Sequence, residues 1–194
     1  MNYPLQLSFK LFAFTKQVSV TEANGHLLFY VKQKAFSWKD AVTVFADEAQ
    51  TQPYFRINAD KALDWSARFY FTANNGQTIG SVKRHGGRSL WRAHYDIYDG
   101  EAVVASIREE NPWTKVFDAL FAEIPVVGMF TGYVFNPSYI VTWSNGAPVM
   151  RLKKLGSFFG RSFSIEKLAE LDPQSEQRVI LSLLMMTLLE RRRG

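Results

Sequence analysis

The chain has 194 residues, 47% of them hydrophobic and 15% aromatic, with 23 Lys and Arg against 18 Asp and Glu for a net charge of +5. That is the size of one large domain with ample material for a core, and it excludes a disordered chain. There is no cysteine, which excludes a disulfide framework, thiolate metal ligands, a Cys nucleophile and S-palmitoylation.

At the N-terminus Leu5, Leu7, Phe9 and Leu11 alternate with Gln6, Ser8 and Lys10, the period of a half-buried strand. No basic segment precedes them and no small-residue cleavage site follows, so the reading is structure rather than a leader, and a cytoplasmic protein. Four dipeptides then punctuate the chain: Asn24-Gly25, Asn75-Gly76, Asp99-Gly100 and Asn145-Gly146. Each lies between β-rich runs, the pattern of hairpins closed by type I′ turns. From Leu63 to Thr72, Leu63, Trp65, Ala67, Phe69 and Phe71 share one face, and Asp64, Ser66, Arg68, Tyr70 and Thr72 the other. From Ser89 to Tyr98, Trp91, Ala93, Tyr95 and Ile97 oppose Arg92, His94, Asp96 and Tyr98. Further strands are predicted at 17–22, 27–34, 41–47, 53–59, 78–84, 102–109, 138–144, 148–154 and 161–166. About a dozen short antiparallel strands imply a barrel or a sandwich.

Two helices interrupt this pattern. The first opens at Asn111-Pro112, a cap followed by proline at the first helical position, and Trp113, Val116, Phe117, Leu120 and Phe121 form its apolar stripe until Pro125. The second opens at Asp172-Pro173 and runs to Arg191, Arg192 and Arg193, an acid at its start and bases at its end. From Val179 to Leu189 only Ser182 and Thr187 are polar, and a helix apolar all round is enclosed by protein or by lipid. Eleven residues rise only about 16 Å, too short for a bilayer core of about 30 Å. A sandwich, with sheets about 10 Å apart, leaves no room for a helix, whereas about twelve strands close into a barrel wide enough to hold one. The predicted fold is therefore mostly β: one domain over 1–194, a closed antiparallel barrel of about twelve strands around a central C-terminal apolar helix, plus one short amphipathic helix.

The run from Gly80 to Gly100 (GSVKRHGGRSLWRAHYDIYDG), and the ending in which the strand Phe163-Ser-Ile-Glu leads into an apolar helix, resemble the LURP-one-related family of the tubby C-terminal and phospholipid-scramblase superfamily. The resemblance spans about Lys16 to the C-terminus. It implies a twelve-stranded barrel around a central C-terminal helix. Tubby-like members bind phosphoinositides through surface basic residues, and scramblases move phospholipids with calcium and acylated cysteines. Neither residue set transfers position by position: there is no Cys to acylate, and the acids before the last helix are only Glu166, Glu170 and Asp172.

No motif for a nucleophile elbow, a P-loop or a dinucleotide cradle is present. His26, His85 and His94 lack metal-ligand spacing along the chain, so neither a metal nor a cofactor is expected. Gly128 and Gly132 form a G-x-x-x-G, but Asp118, Glu123 and Pro125 interrupt any membrane-spanning run. The basic residues single out two candidate anion sites: Arg84, His85, Arg88 and Arg92 around the Gly86-Gly87 turn, and Lys32 with Lys34 on one strand face. Lys153-Lys154 end another strand. The apolar 113–135 region, through Trp113, Phe117 and Phe121, is a candidate docking face for a membrane or a partner, or a lid over one barrel end. The functional expectation is a non-enzymatic module that binds anionic phospholipid headgroups or a membrane surface and sits in the cytoplasm or peripheral to the membrane. Its alternatives are a protein-interaction domain using 113–135, or a scramblase-like lipid-handling protein. Nucleic acid is the less favoured partner for a pI near 9.4.

Overall fold

The alternating runs become twelve strands: β1 (Leu5–Phe12), β2 (Thr15–Thr21), β3 (Leu27–Lys34), β4 (Val42–Phe45), β5 (Pro53–Ala59), β6 (Arg68–Ala73), β7 (Thr78–Arg84), β8 (His94–Asp99), β9 (Ala102–Glu109), β10 (Ser138–Trp143), β11 (Pro148–Leu155) and β12 (Arg161–Lys167). Each pairs antiparallel with its sequence neighbours. The sheet closes where β12 meets β1 in the register Leu5↔Ile165, Leu7↔Phe163. The helix α1 (Pro173–Glu190) follows. The computed structural model describes residues 1–12, 15–34, 41–61, 67–85, 93–110, 137–156 and 161–190, the side chains of 11–12, 15–16, 33–34 and 161 excepted. The helix expected after Asn111 and the whole 113–135 region lie outside the described residues.

The predicted closed barrel around a C-terminal helix is the observed one. Ala67, Phe69, Phe71, Ala93, Tyr95 and Ile97 face inward, as the alternation requires. Every residue of α1 from Arg178 to Leu189 is buried. Apolar side chains point in and polar ones out, the reverse of a barrel whose outer face meets lipid. No described helix is long and apolar enough to cross a membrane.

Five connections, β2–β3 through β10–β11, turn at one rim together with the N-terminus of α1. The other strand connections leave from the opposite rim, where α1 ends. The Asn-Gly turns differ from the type I′ geometry read from the sequence. Glycines 25, 76 and 146 take φ of 84°, 85° and 89°, while the preceding asparagines keep negative φ. Each Asn instead uses its side chain, Oδ1 accepting the N–H two residues on: His26 at 2.9 Å, Gln77 at 3.0 Å and Ala147 at 3.0 Å. This is a three-residue loop with one left-handed glycine, the second commonest hairpin solution.

Above each of these five turns the register slips by one residue, leaving Leu28, Tyr54, Ile79, Val104 and Val149 without a direct partner. A bulge places two consecutive residues on one side and sharpens the bend of its strand. Val149 and Met150 are both fully buried, as are Ile79 and Gly80.

Polar contacts pin the helix at both ends. At its start Asp172 Oδ1 accepts the N–H groups of Gln174 (3.1 Å) and Ser175 (3.0 Å), an N-cap that also stabilises negative charge at the positive end of the dipole. Glu176 receives the Tyr3 hydroxyl at 2.8 Å and lies 3.5 Å from Lys167 Nζ. Arg178 passes through the bulge of β7: its Nε donates to Ile79 O at 2.6 Å and its guanidinium reaches Asp99 at 2.7 Å. Gly80 makes room for it. A Cβ there, at φ +146°, would stand 2.6 Å from both Arg178 Nε and Tyr98 O. At the far end the Tyr95 hydroxyl donates to Glu190 at 2.6 Å, and Arg84 Nε lies 3.3 Å from the same carboxylate.

Four outcomes follow from this packing. Leu184→Ala, at a fully buried site, costs about 2–5 kcal/mol in denaturant titration. Leu184→Glu, or truncation after Asp172, leaves no cooperatively melting chain, and a truncation that melts cooperatively would contradict the helix as core. Gly80→Ala destabilises by at least about 1–3 kcal/mol from backbone strain, with the Arg178 clash added. Asp172→Ala costs about 1 kcal/mol at neutral pH. Hydrogen bonds from Ser175 hold the Asp172 carboxyl below the usual aspartate range. With the folded value below the unfolded one, its contribution is present above about pH 4 and lost on acidification. The melting-temperature gap between wild type and Asp172→Ala therefore shrinks from pH 6 to pH 3, as thermal melts can check.

Candidate functional site

The rim at which α1 ends holds the features that a binding function can use. The helix leans toward β6, β7 and β8. On the other side this leaves a cavity of about 220 Å³ lined by Phe9, Tyr139, Lys154, Phe163, Met186 and Glu190, with Pro137 and Thr187. Phe9, Phe163 and Met186 give it apolar lining, and Lys154, Glu190 and the Tyr139 phenol bring polar groups to it. Burial, then the charges of Glu109 and Glu190, push the Tyr139 phenol up to about 12, so it stays protonated and able to donate.

The basic residues chosen from the sequence do not form one edge. Strand period sends Arg84 and His85 to opposite faces. Val82 is fully buried, so Arg84, two residues on, points inward and is 7% exposed beside Glu190, while His85 points outward. Arg84 thus serves the helix end rather than an outer anion site. Lys32 is exposed on β3, and its register partner Gln17 is also the partner of Lys10 on β1. Lys10 and Lys32 therefore share an exposed row near the rim that the sequence reading paired as Lys32 with Lys34. The Lys34 side chain lies outside the description. So do Arg88, Arg92, Trp113, Phe117 and Phe121.

The signs of charge divide between the two rims. Glu22, Asp47, Glu48, Asp99, Glu101, Glu170 and Asp172 stand at or near the turn rim. Lys10, Lys32, Lys83, Arg108, Lys153 and Lys154 lie in the half where α1 ends. Asp60, Asp96, Glu109, Glu110 and Glu190 lie in that half as well, and three of them are already engaged: Glu110 by Arg151 at 3.2 Å, Glu190 by Arg84, and Asp96 by His85. Lys10, Lys32, Lys83 and Arg108 have no carboxylate within 4 Å among the described residues, unlike Arg68, Lys153, Lys167 and Arg178.

A further cluster was invisible in chain spacing. The N–H of His85 donates to the carbonyl of His94 at 2.9 Å, which sets the two residues opposite each other across β7 and β8. Their rings stack with centroids 4.2 Å apart and planes 18° from parallel. Asp96, two residues from His94 on the same face, receives His85 Nε2–H at Oδ2 and places Oδ1 3.7 Å from His94 Nε2. Burial, then His85 and Arg108, hold the His94 imidazole below the ordinary histidine range despite Asp96. The only cue in the sequence was a His-x-Asp on one strand, with the third residue hidden in the pairing.

No curated protein matches the chain significantly. An Arabidopsis thaliana protein of known X-ray structure is similar to it in fold, with a TM-score of 0.52 at 16% identity over 100% of this chain and 94% of that one. Residues 27–186, well over half of the chain, match the LURP-one-related family. With the closed barrel and its enclosed C-terminal helix also in place, the chain belongs to the LURP-one-related family.

Proposed function

We propose that the domain is a non-enzymatic module that docks through the rim where α1 ends onto an anionic phospholipid surface. The observation that supports this reading is the set of exposed cations without carboxylate partners among the described residues at that rim, Lys10, Lys32, Lys83 and Arg108, where Glu110, Glu190 and Asp96 are already engaged. Such a molecule orients in the field of an anionic surface with its basic end down. The sequence carries further cations, Arg88 and Arg92 between β7 and β8 and Arg191, Arg192 and Arg193 after α1. The connection from Glu110 to Pro137, which starts and ends at this rim, contains Trp113, Phe117 and Phe121, side chains suited to the headgroup region. Family membership and fold favour a binding domain over an enzyme.

Vesicle co-sedimentation tests the proposal. Binding to phosphatidylglycerol- or phosphoinositide-containing vesicles is strong at low salt, falls as ionic strength rises and is absent on neutral vesicles. Reversing Lys10, Lys32 and Lys83 to Glu removes at least about 3 kcal/mol, roughly 100-fold in affinity, at about 1 kcal/mol per surface cation. The melting temperature hardly moves, because exposed charges contribute little to stability. Wild-type protein that fails to bind anionic vesicles at low salt would overturn the reading, and binding unaffected by the triple reversal would move the docking face elsewhere.

A further inference from the structure

We propose that His85, His94 and Asp96 form a site for a divalent transition metal, zinc above all, on the outer wall of the barrel where β7 and β8 meet. One ring nitrogen from each histidine and a carboxylate oxygen of Asp96 all lie within 4.8 Å of one another. A tetrahedral zinc ion with bonds of about 2.0–2.1 Å needs donors about 3.3 Å apart, so this set closes on the ion through side-chain rotation, with the backbone in place. The rotation is specific. Parallel stacked rings direct their lone pairs side by side, so the imidazoles must tilt out of the stack for both Nε2 atoms to converge. His85 is half exposed and free to turn, whereas Asp96 is 16% exposed and fixes the third corner.

The backbone supplies the rest of the geometry. Positions i and i+2 of a strand share a face, and the residue opposite i on the next strand completes a triangle around one point. The antiparallel bond between His85 and His94 holds that triangle in a closed sheet, which organises the donors before any metal arrives. Two imidazoles and one carboxylate suit zinc, nickel or copper and disfavour calcium and magnesium, which take all-oxygen shells. Three protein ligands leave a fourth position open to solvent. Lys83, opposite Asp96, and Arg108, opposite His94, flank it and favour an anionic oxygen donor as the fourth ligand.

Isothermal titration of the full chain with zinc chloride, free of any affinity tag, tests the site. The expected result is a single saturable site of micromolar affinity, with no heat from calcium chloride at the same concentration. His94→Ala and Asp96→Asn each weaken it at least tenfold, while His26→Ala leaves it unchanged. The melting temperature of wild type rises with zinc, and that of the His85→Ala/His94→Ala double variant does not. Asp96→Asn keeps side-chain volume, and its circular dichroism melt without metal separates loss of a ligand from loss of fold. Absence of saturable zinc binding by the wild type, or binding that survives the double histidine variant, overturns the proposal.

Discussion

A helix that is apolar on every side has to be surrounded, and the rest of the molecule answers that requirement. From Val179 to Leu189 α1 offers no face to water, and each of those residues is buried. Only a closed wall removes all of that surface from solvent, and an antiparallel meander of twelve strands closes with an interior wide enough to hold a helix. The wall depends on the helix in return, since without it the inward side chains of opposite strands would face a void. The barrel and the eighteen residues of α1 therefore form one folding unit.

A helix greased on all sides has no internal signal for its depth or rotation, because apolar contact is non-directional. Polar groups at its ends supply that signal. Glu176 and Arg178 engage Tyr3, Lys167, Ile79 and Asp99 at one rim, and Glu190 engages Tyr95 and Arg84 at the other. A buried guanidinium without these partners would be costly, so each pairing also penalises a shifted register of helix against wall. Gly80 belongs to the same device, as the gap in β7 that admits the Arg178 side chain.

The two rims of the barrel differ in construction. One is closed by four short Asn-Gly or Asp-Gly turns and the β4–β5 loop, carries five bulges, and bears several acids. The other carries the cavity beside Tyr139 and Lys154 and cations without carboxylate partners among the described residues. The proposed docking function uses the second end, because recognition uses the part of a scaffold that its own core does not consume.

Local sequence determined a great deal of this protein. Alternation in Ala67 to Thr72 and Ala93 to Tyr98, the glycine turns, and the Val179–Leu189 run together imply a closed barrel around a helix, because side-chain period and solubility are properties of short segments. Even the inward turn of Arg84 was legible in principle, since Val82 is core and the strand period is two. Tertiary structure decided what depends on how segments align. The five bulges follow from the curvature needed to close a rim, a property of the whole sheet that no single strand encodes. Lys10 met Lys32 through Gln17, and His85 met His94 and Asp96, only because registers between strands brought them together. Register is set jointly by turn geometry and by the burial of many side chains, so residues far apart in spacing become neighbours only when the sheet is assembled.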